Sequence, residues 1–509
     1  MTNYKRVMNK NSGLRSYTSR DKAILSRDFR LNLMFTTAAV ATNVFALPVG
    51  TVLDRYGPRI CGIVGSIFLA LGSGFVIIAP DVSFDGYIPG YLFLALGGPF
   101  IFISSFQLSN CFPRHSGLIL ALLTGAFDSS SAVFLAYRLI YTATNGSFSP
   151  RKFFLFYLIV PMFILIVQLL IMPYNSYKTV GELVKEAEDP SHDVIPENSE
   201  DLDDEDVVEI LHDQRRARRE SVLSELSPLL GRKGGEDKAK RQEQEKRAKS
   251  GVWGALHGKS AFQQIKTPWF ILITLFVVVQ MTRINYFVAS KFGTIHAANT
   301  ISLMSYQAIR SQYEYLLNHY NLAEHVNHVF DVALPLGGII SIPFIGLILD
   351  NLSTTTCLSV LVGLATLIGV LGVLPYTVAA YANVALFVIY RPLYYTAVSD
   401  YAAKVFGFHT FGKVYGLIIC IAGLFNFSQS ALDALTHITF DNNPVPVNLV
   451  LMSLVLVIGI VLIAYVHRKT LSMSRDWLEE EAEDAPERRM PDLMERNARN
   501  RASPQNGTI

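Results

Sequence analysis

The stretch GTVLDRYGPRICG, Gly50–Gly62, decides how this chain folds. It places an aspartate, two arginines and a proline between two long apolar runs. A helix needs roughly 20 apolar residues to cross about 30 Å of hydrocarbon, and each flank is of that length. The stretch therefore reads as the tight turn between two membrane spans. Gly50 allows close helix approach and Gly57 permits the turn. Asp54 can accept hydrogen bonds from the N-terminus of a neighbouring helix or pair with an arginine, Arg55 and Arg59 being at hand. Such a clamp can hold one conformational state and release it in another. The plainer alternative is a juxtamembrane charge cluster that only sets topology.

Working outward, the same pattern repeats. Half of the 509 residues are hydrophobic and 17% are charged, with a mean hydropathy of +0.31. That balance names lipid as the solvent. About eleven runs of spanning length occur, near 31–52, 60–80, 88–110, 116–141, 153–173, 268–288, 329–350, 356–375, 378–399, 412–433 and 446–467. They are too long and unbroken for barrel strands, so they predict helices. The expected fold is an all-α polytopic membrane protein.

The polar remainder gives the organisation. A basic N-terminal segment covers 1–30, a five-span bundle 31–174, a charged loop 175–266, a six-span bundle 267–468 and a polar tail 469–509. The loop holds EDLDDEDVVE, RRARRE and KAKRQEQEKRAK, too charged to pack a core; it is expected to be disordered, with a short helix near 207–226, and so is the tail. Arg55, Arg59, Arg114, Arg468 and Lys469 belong on the cytoplasmic side with the loop. The turns at 81–87, 376–380 and 434–445 carry no Lys or Arg and fit the other side, with Arg151 and Lys152 as the exception.

The chain repeats itself. Gly346–Cys357, GLILDNLSTTTC, echoes the opening stretch: Gly346 stands four residues before Asp350, and a Cys follows each Asp by seven. GLILALLTGAFDSSS from Gly117 pairs with GLIICIAGLFNFSQS from Gly416. Two related bundles are a common way to build a transporter. At these residues the chain resembles the major facilitator superfamily, whose signature loop follows the second helix and recurs, weakened, after the eighth. Pro58 stands where the family usually has a basic residue, and no arginine follows Asp350. The stretches NLMFTTAAVATNVFALPVGTVLDRYGPR, SNCFPRHSGLILALL, QMTRINYF and FGKVYGL are similar to the sodium-independent large-neutral-amino-acid facilitators, a system-L-like branch.

The resemblance implies a fold of two six-helix bundles. If Asp54 ends the second helix, a first helix should precede residue 31, yet residues 1–30 cannot span a membrane. The expectation is thus about eleven spans, with the first helix lacking. A truncated gene model or alternative start explains this, and an eleven-span protein with an altered role is the other explanation.

Ionisable groups inside spans are default site candidates, because each costs several kcal/mol unless it faces a cavity or a partner. Arg283 in QMTRINYF could grip a substrate carboxylate, with Asn285 and Tyr286 adding polar contacts; it could equally snorkel or bond backbone carbonyls. Arg391, followed by the kinking Pro392 and by Tyr394 and Tyr395, has a gating or binding role or forms a structural pair with Asp128 or another buried carboxylate. Asp128, followed by three serines, could relay protons or be fixed by hydrogen bonds. Ser104, Ser105 and Gln107 make a polar stripe that serves the substrate path or helix packing.

The sequence offers no catalytic constellation, cofactor loop or nucleic-acid signature, and Cys61, Cys111, Cys357 and Cys420 show neither metal-ligand nor disulfide spacing. His296, His319, His325 and His328 match no strong ligand pattern. Neither an enzyme nor a metal site is expected. Glu225 with Leu229 and Leu230 forms an acidic dileucine pattern of the kind sorting adaptors read, which favours a vacuolar or lysosomal membrane over the plasma membrane. The reading is a secondary transporter of a small solute by alternating access, most specifically a facilitator of neutral amino acids, the substrate class resting on the resemblance alone. Its rival is a non-transporting membrane sensor or scaffold that signals through the central loop.

Overall fold

The computed structural model describes residues 37–112, 115–172, 248–288, 312–313, 315–317, 320–441 and 443–502, with side chains described as far as 475. The dileucine pattern at Glu225–Leu230 and the expected helix at 207–226 lie outside these residues. The described chain is helical. Helices α1 (Ala46–Ile78), α2 (Tyr87–Ser105), α3 (Ser116–Ser129), α4 (Ser131–Ala143), α5 (Pro150–Tyr157) and α6 (Ile159–Leu170) build the first half. The second half holds α7 (Ala261–Ile265), α8 (Pro268–Val288), α9 (Tyr320–Ile340), α10 (Ile342–Asn351), α11 (Thr354–Leu371), α12 (Thr377–Phe406), α13 (Phe411–Phe425), α14 (Ser428–Ala434) and α15 (Val445–Ala502).

The first helical stretch, Thr37–Ile78, is 42 residues long, about 63 Å if straight at 1.5 Å per residue, twice a bilayer core. It is two antiparallel spans. Thr42 hydrogen bonds to Ala95, while Gly72 abuts the Leu94 backbone. Two residues fifteen positions before and after Gly57 thus meet neighbouring residues of α2, as only a hairpin allows. Gly57 makes the reversal with φ 79° and ψ 174°, a backbone open to glycine and strained for other residues. Pro58 follows as the first residue of the second limb, where a missing N–H costs nothing and a fixed φ is pre-set for the helix. That accounts for a proline in place of a basic residue.

Among the described residues seven helices are long and apolar enough to cross a membrane, and α9 with α10 make an eighth if the pair, bent by 45°, is one span. The bend falls at Ser341, where Pro343 has no N–H to return to the preceding turn. Counting the hairpin as two spans and adding α12 and the α13–α14 pair, the described part of every run expected from the sequence falls on a helix. The polarity is inverted as lipid demands: Leu170 is 79% exposed and Val378 80%, while Thr124, Asp128, Arg283, Asn383 and Asp400 are buried.

The two halves meet along two seams. On one, α13 lies against the first limb of α1, with Gly423 on Asn43, Gly416 on Ala46 and Gly412 on Gly50. On the other, α3 lies against α9 and α10, with Gly125 on Gly338 and Leu118 on Gly346. Small residues let backbones touch where lipid offers no hydrophobic drive for helix association.

The structure departs from the expected disorder at two places. Residues 248–266 fold beneath α12: Gly254 and Leu256 donate backbone hydrogen bonds to Lys404 and Val405, and Gln264 donates to Leu256 and Phe406 and accepts from Thr410. The local code is present in the sequence, with Gly251, Gly254 and Gly258 at positive φ and a Ser260–Gln263 capping box. The charged tail continues α15 as helix to Ala502. High charge forbids a core but not a helix, and this tail is rich in Glu, Ala, Arg and Leu, strong helix formers. Arg151, the topological exception, lies 2.9 Å from Asp81, so its charge is matched on its own side.

Candidate functional site

The two aspartates of the repeated motif do one job twice. Asp54 accepts hydrogen bonds from the backbone N–H groups of Gly412 and Lys413, each at 2.8 Å. Asp350 accepts from Gly117 at 2.8 Å and Leu118 at 3.2 Å. Each carboxylate thus caps the first turn of a helix from the opposite half, where free N–H groups and the helix dipole favour negative charge. Of the two roles open to Asp54, capping is the one realised. Arg59 donates instead to the Leu169 carbonyl, and Arg55 lies over the Tyr56 ring at 5.5 Å. A Cβ at Gly50 would overlap the Gly412 carbonyl, and one at Gly346 would come within 3.0 Å of Leu118 atoms. Both glycines are therefore needed for the seams to close.

The caps also correct the register of the repeat. The capped positions pair Gly117 with Gly412, one helical turn from the pairing of Gly117 with Gly416 that sequence likeness suggests. Small apolar residues recur about every turn in both segments, so composition alone could not choose.

Deeper in the membrane the halves meet through charge. Arg391 on α12 lies 3.4 Å from Asp128 on α3. The Asp128 side chain is 2% exposed and that of Arg391 21%. Tyr395, one turn on, lies close enough to Arg391 to interact with it. The serines beside Asp128 turn elsewhere: Ser129 donates to Gly125 and Pro335, Ser130 to Phe127, and Ser131 to the Asp128 backbone. Both carboxylate oxygens lack hydrogen bonds within the protein. One turn along α3, the Thr124 hydroxyl hydrogen bonds to that of Thr396 across the same seam.

Toward the capped ends stands an aromatic plug. Phe106, fully buried in the 3₁₀ turn after α2, meets Phe411 edge-on at 5.9 Å and Tyr415 at 5.6 Å. Phe411 and Tyr415 stack at 5.1 Å. Ser104 and Gln107, on either side of Phe106, are buried, with the Ser104 hydroxyl donating to Ile101. Caps and rings together tie the two halves at this end.

Other candidates face elsewhere. Arg283 points into the second half and donates to the Ala365 carbonyl at 2.7 Å, so the backbone-carbonyl alternative is realised. Tyr286 hydrogen bonds to Thr436, and Asn285 is half-buried. Tyr394 donates to Val277 within the second half. Thus the structure brings Asp128, Arg391 and Tyr395 together at the seam and does not bring Arg283, Tyr286 or Tyr394 there. Sequence reading missed Thr124, Thr396 and the Phe106–Phe411–Tyr415 plug, since nothing in a span distinguishes a threonine or phenylalanine that faces the partner half. It also missed Lys404, which pairs with Asp400 at 2.7 Å and donates to Leu349 at the end of α10. Among the described residues no cluster of ligating side chains suits a metal ion.

A hairpin span, two capped seams and a charged pair between two helical halves define a membrane carrier. The chain belongs to the Major Facilitator Superfamily, whose family model matches residues 22–430. It is 45% identical over 466 residues to Protein FMP42 of Saccharomyces cerevisiae, covering 88% of this chain and 86% of that one. It is 25% identical over 440 residues to Equilibrative nucleobase transporter 1 of Bos taurus, 85% and 82% covered. A 125-residue stretch is 33% identical to Large neutral amino acids transporter small subunit 3 of Homo sapiens, 23% and 22% covered. Among solved structures, the proton:xylose symporter XylE shares the fold at a TM-score of 0.50 and 12% identity, each chain 87% covered. The chain is therefore a multi-pass integral membrane protein and a secondary transporter.

Proposed function

We propose that this carrier moves neutral amino acids by alternating access, with Asp128 and Arg391 at the heart of its substrate path. The observation that carries the reading is the pair itself: opposite charges, contributed by opposite halves, buried between them with the Asp128 oxygens short of hydrogen bonds. A zwitterion is complementary to a parted pair. Its ammonium replaces the guanidinium at Asp128, and its carboxylate takes the two-pronged donor of Arg391. Such a solute lets the halves separate without stranding either charge, so binding energy goes into the conformational change. Asp128 would relay a proton only in a state where Arg391 has turned away from it. The resemblance of short stretches to large-neutral-amino-acid facilitators favours the same substrate class.

A nucleobase is the second reading, favoured by the longer match to a nucleobase transporter. Its ring N–H and acceptor edge could also bridge a carboxylate and a guanidinium. The acidic dileucine pattern of the central loop supports a vacuolar or lysosomal address through a sorting adaptor.

Counterflow of labelled leucine and adenine in proteoliposomes containing the full chain decides between them. Saturable leucine exchange, lost in Asp128→Asn while the protein stays folded, is the expected result. Adenine exchange alone would replace the amino acid with the base, and exchange of neither would favour the sensor.

A further inference from the structure

A second buried polar site lies away from the seams, inside the second half. Between α8, α11, α12 and α15 a small cavity is lined by Gln280, Arg283, Gly369, Asn383, Phe387 and Tyr390, among others. Arg283 is 7% exposed, and its one hydrogen bond among the described residues is to the Ala365 carbonyl. Among the described residues no carboxylate pairs with it. A buried guanidinium with no counter-charge is among the costliest arrangements in a membrane protein.

The walls around it are equally short of partners. The Gln280 Oε1, the Asn383 Oδ1 and the Tyr390 hydroxyl are buried without a hydrogen bond, on residues 2%, 1% and 1% exposed. Their density in one cavity is unusual, because buried polar groups are almost always satisfied. Gly369 allows the close packing beside the cavity, since a Cβ there would meet Met452 at 2.5 Å and the Arg283 Nη2 at 3.0 Å.

We infer that this cavity binds a small monovalent anion, with a water molecule beside it, as the missing counter-charge of Arg283. The guanidinium supplies charge and N–H donors, the Tyr390 hydroxyl donates, and a half-turn of the Gln280 amide adds its NH2. The water donates to the Asn383 oxygen. Size selects the ligand class, for the space holds about two water molecules' worth. A halide or formate-sized carboxylate fits that space. The site is separate from the substrate path: on α12, Arg391 turns to the seam and Tyr390 to this cavity.

Thermal unfolding of the purified full chain tests this in sodium gluconate progressively replaced by chloride, bromide or formate at constant ionic strength. The expected result is a saturable rise in Tm of a few degrees with at least one small anion. Chloride and bromide acting alone would mark a halide site, and formate acting alone a carboxylate site. Arg283→Gln should abolish the rise, and Tyr390→Phe should weaken half-saturation several-fold, which keeps the test open if the arginine variant does not fold. No anion-specific rise, or a rise unchanged in either variant, overturns the inference.

Discussion

The carboxylate of Asp128 and the guanidinium of Arg391 lie 3.4 Å apart, on opposite halves of the molecule. Each neutralises the buried charge that the opposite half presents. Removing one partner strands the other, a cost of about 3–5 kcal/mol for a buried pair. Arg391→Leu should therefore lower the unfolding temperature strongly, whereas Asp128→Asn combined with Arg391→Gln should recover much of the stability and none of the transport. Calorimetry and substrate flux on the same preparations check both halves of this expectation.

Asp54 and Asp350 each hold two backbone N–H groups of the opposite half. Loss of a cap costs about 0.5–2 kcal/mol, enough to shift a two-state carrier several-fold toward the form open at the capped end. Asp54→Ala should raise the reactivity of a cysteine introduced at Thr124 toward an impermeant thiol reagent added on the side of the capped end. Unchanged reactivity would mean that the caps do not govern opening.

Gly50 meets the Gly412 carbonyl at backbone distance. Gly50→Val must push the seam apart at a cost of about 1–3 kcal/mol, the usual range for overpacking. The variant should reach the membrane, expose the Thr124 cysteine as Asp54→Ala does, and transport poorly. Equal uptake in variant and wild type would show that the close approach is dispensable.

Phe106 is fully buried against Phe411 and Tyr415. Phe106→Ala removes the wedge and leaves a cavity worth about 3–5 kcal/mol. Accelerated substrate leak in proteoliposomes, with Tm lowered, is expected; a Tm loss with tight vesicles would make the plug structural only.

Gln264 joins Leu256, Phe406 and Thr410 by three hydrogen bonds. Gln264→Leu should free residues 248–266 for proteolysis while leaving the spans protected, as read by peptide mapping of limited digests.

Much of this was legible in the chain, for reasons that depend only on local chemistry. Lipid requires long apolar helices, so run lengths alone declare the spans. Gly57 and Pro58 declare the hairpin, because few other residues fit a positive φ followed by a helix start, and Asp54 with Asp350 declares the repeat. The fold class and the superfamily followed from those residues. The seam between halves did not. Whether Arg391 meets Asp128 and Arg283 meets a carbonyl depends on which face each helix turns inward, and an apolar span in lipid has no amphipathic face to reveal it. The pairing of Gly117 with Gly412 rather than Gly416 was likewise hidden, since one turn of a glycine-rich helix resembles the next. Local composition determined what crosses the membrane and where it turns; only tertiary packing decided which charges meet, because burial between two halves fixes partners that no sequence spacing records.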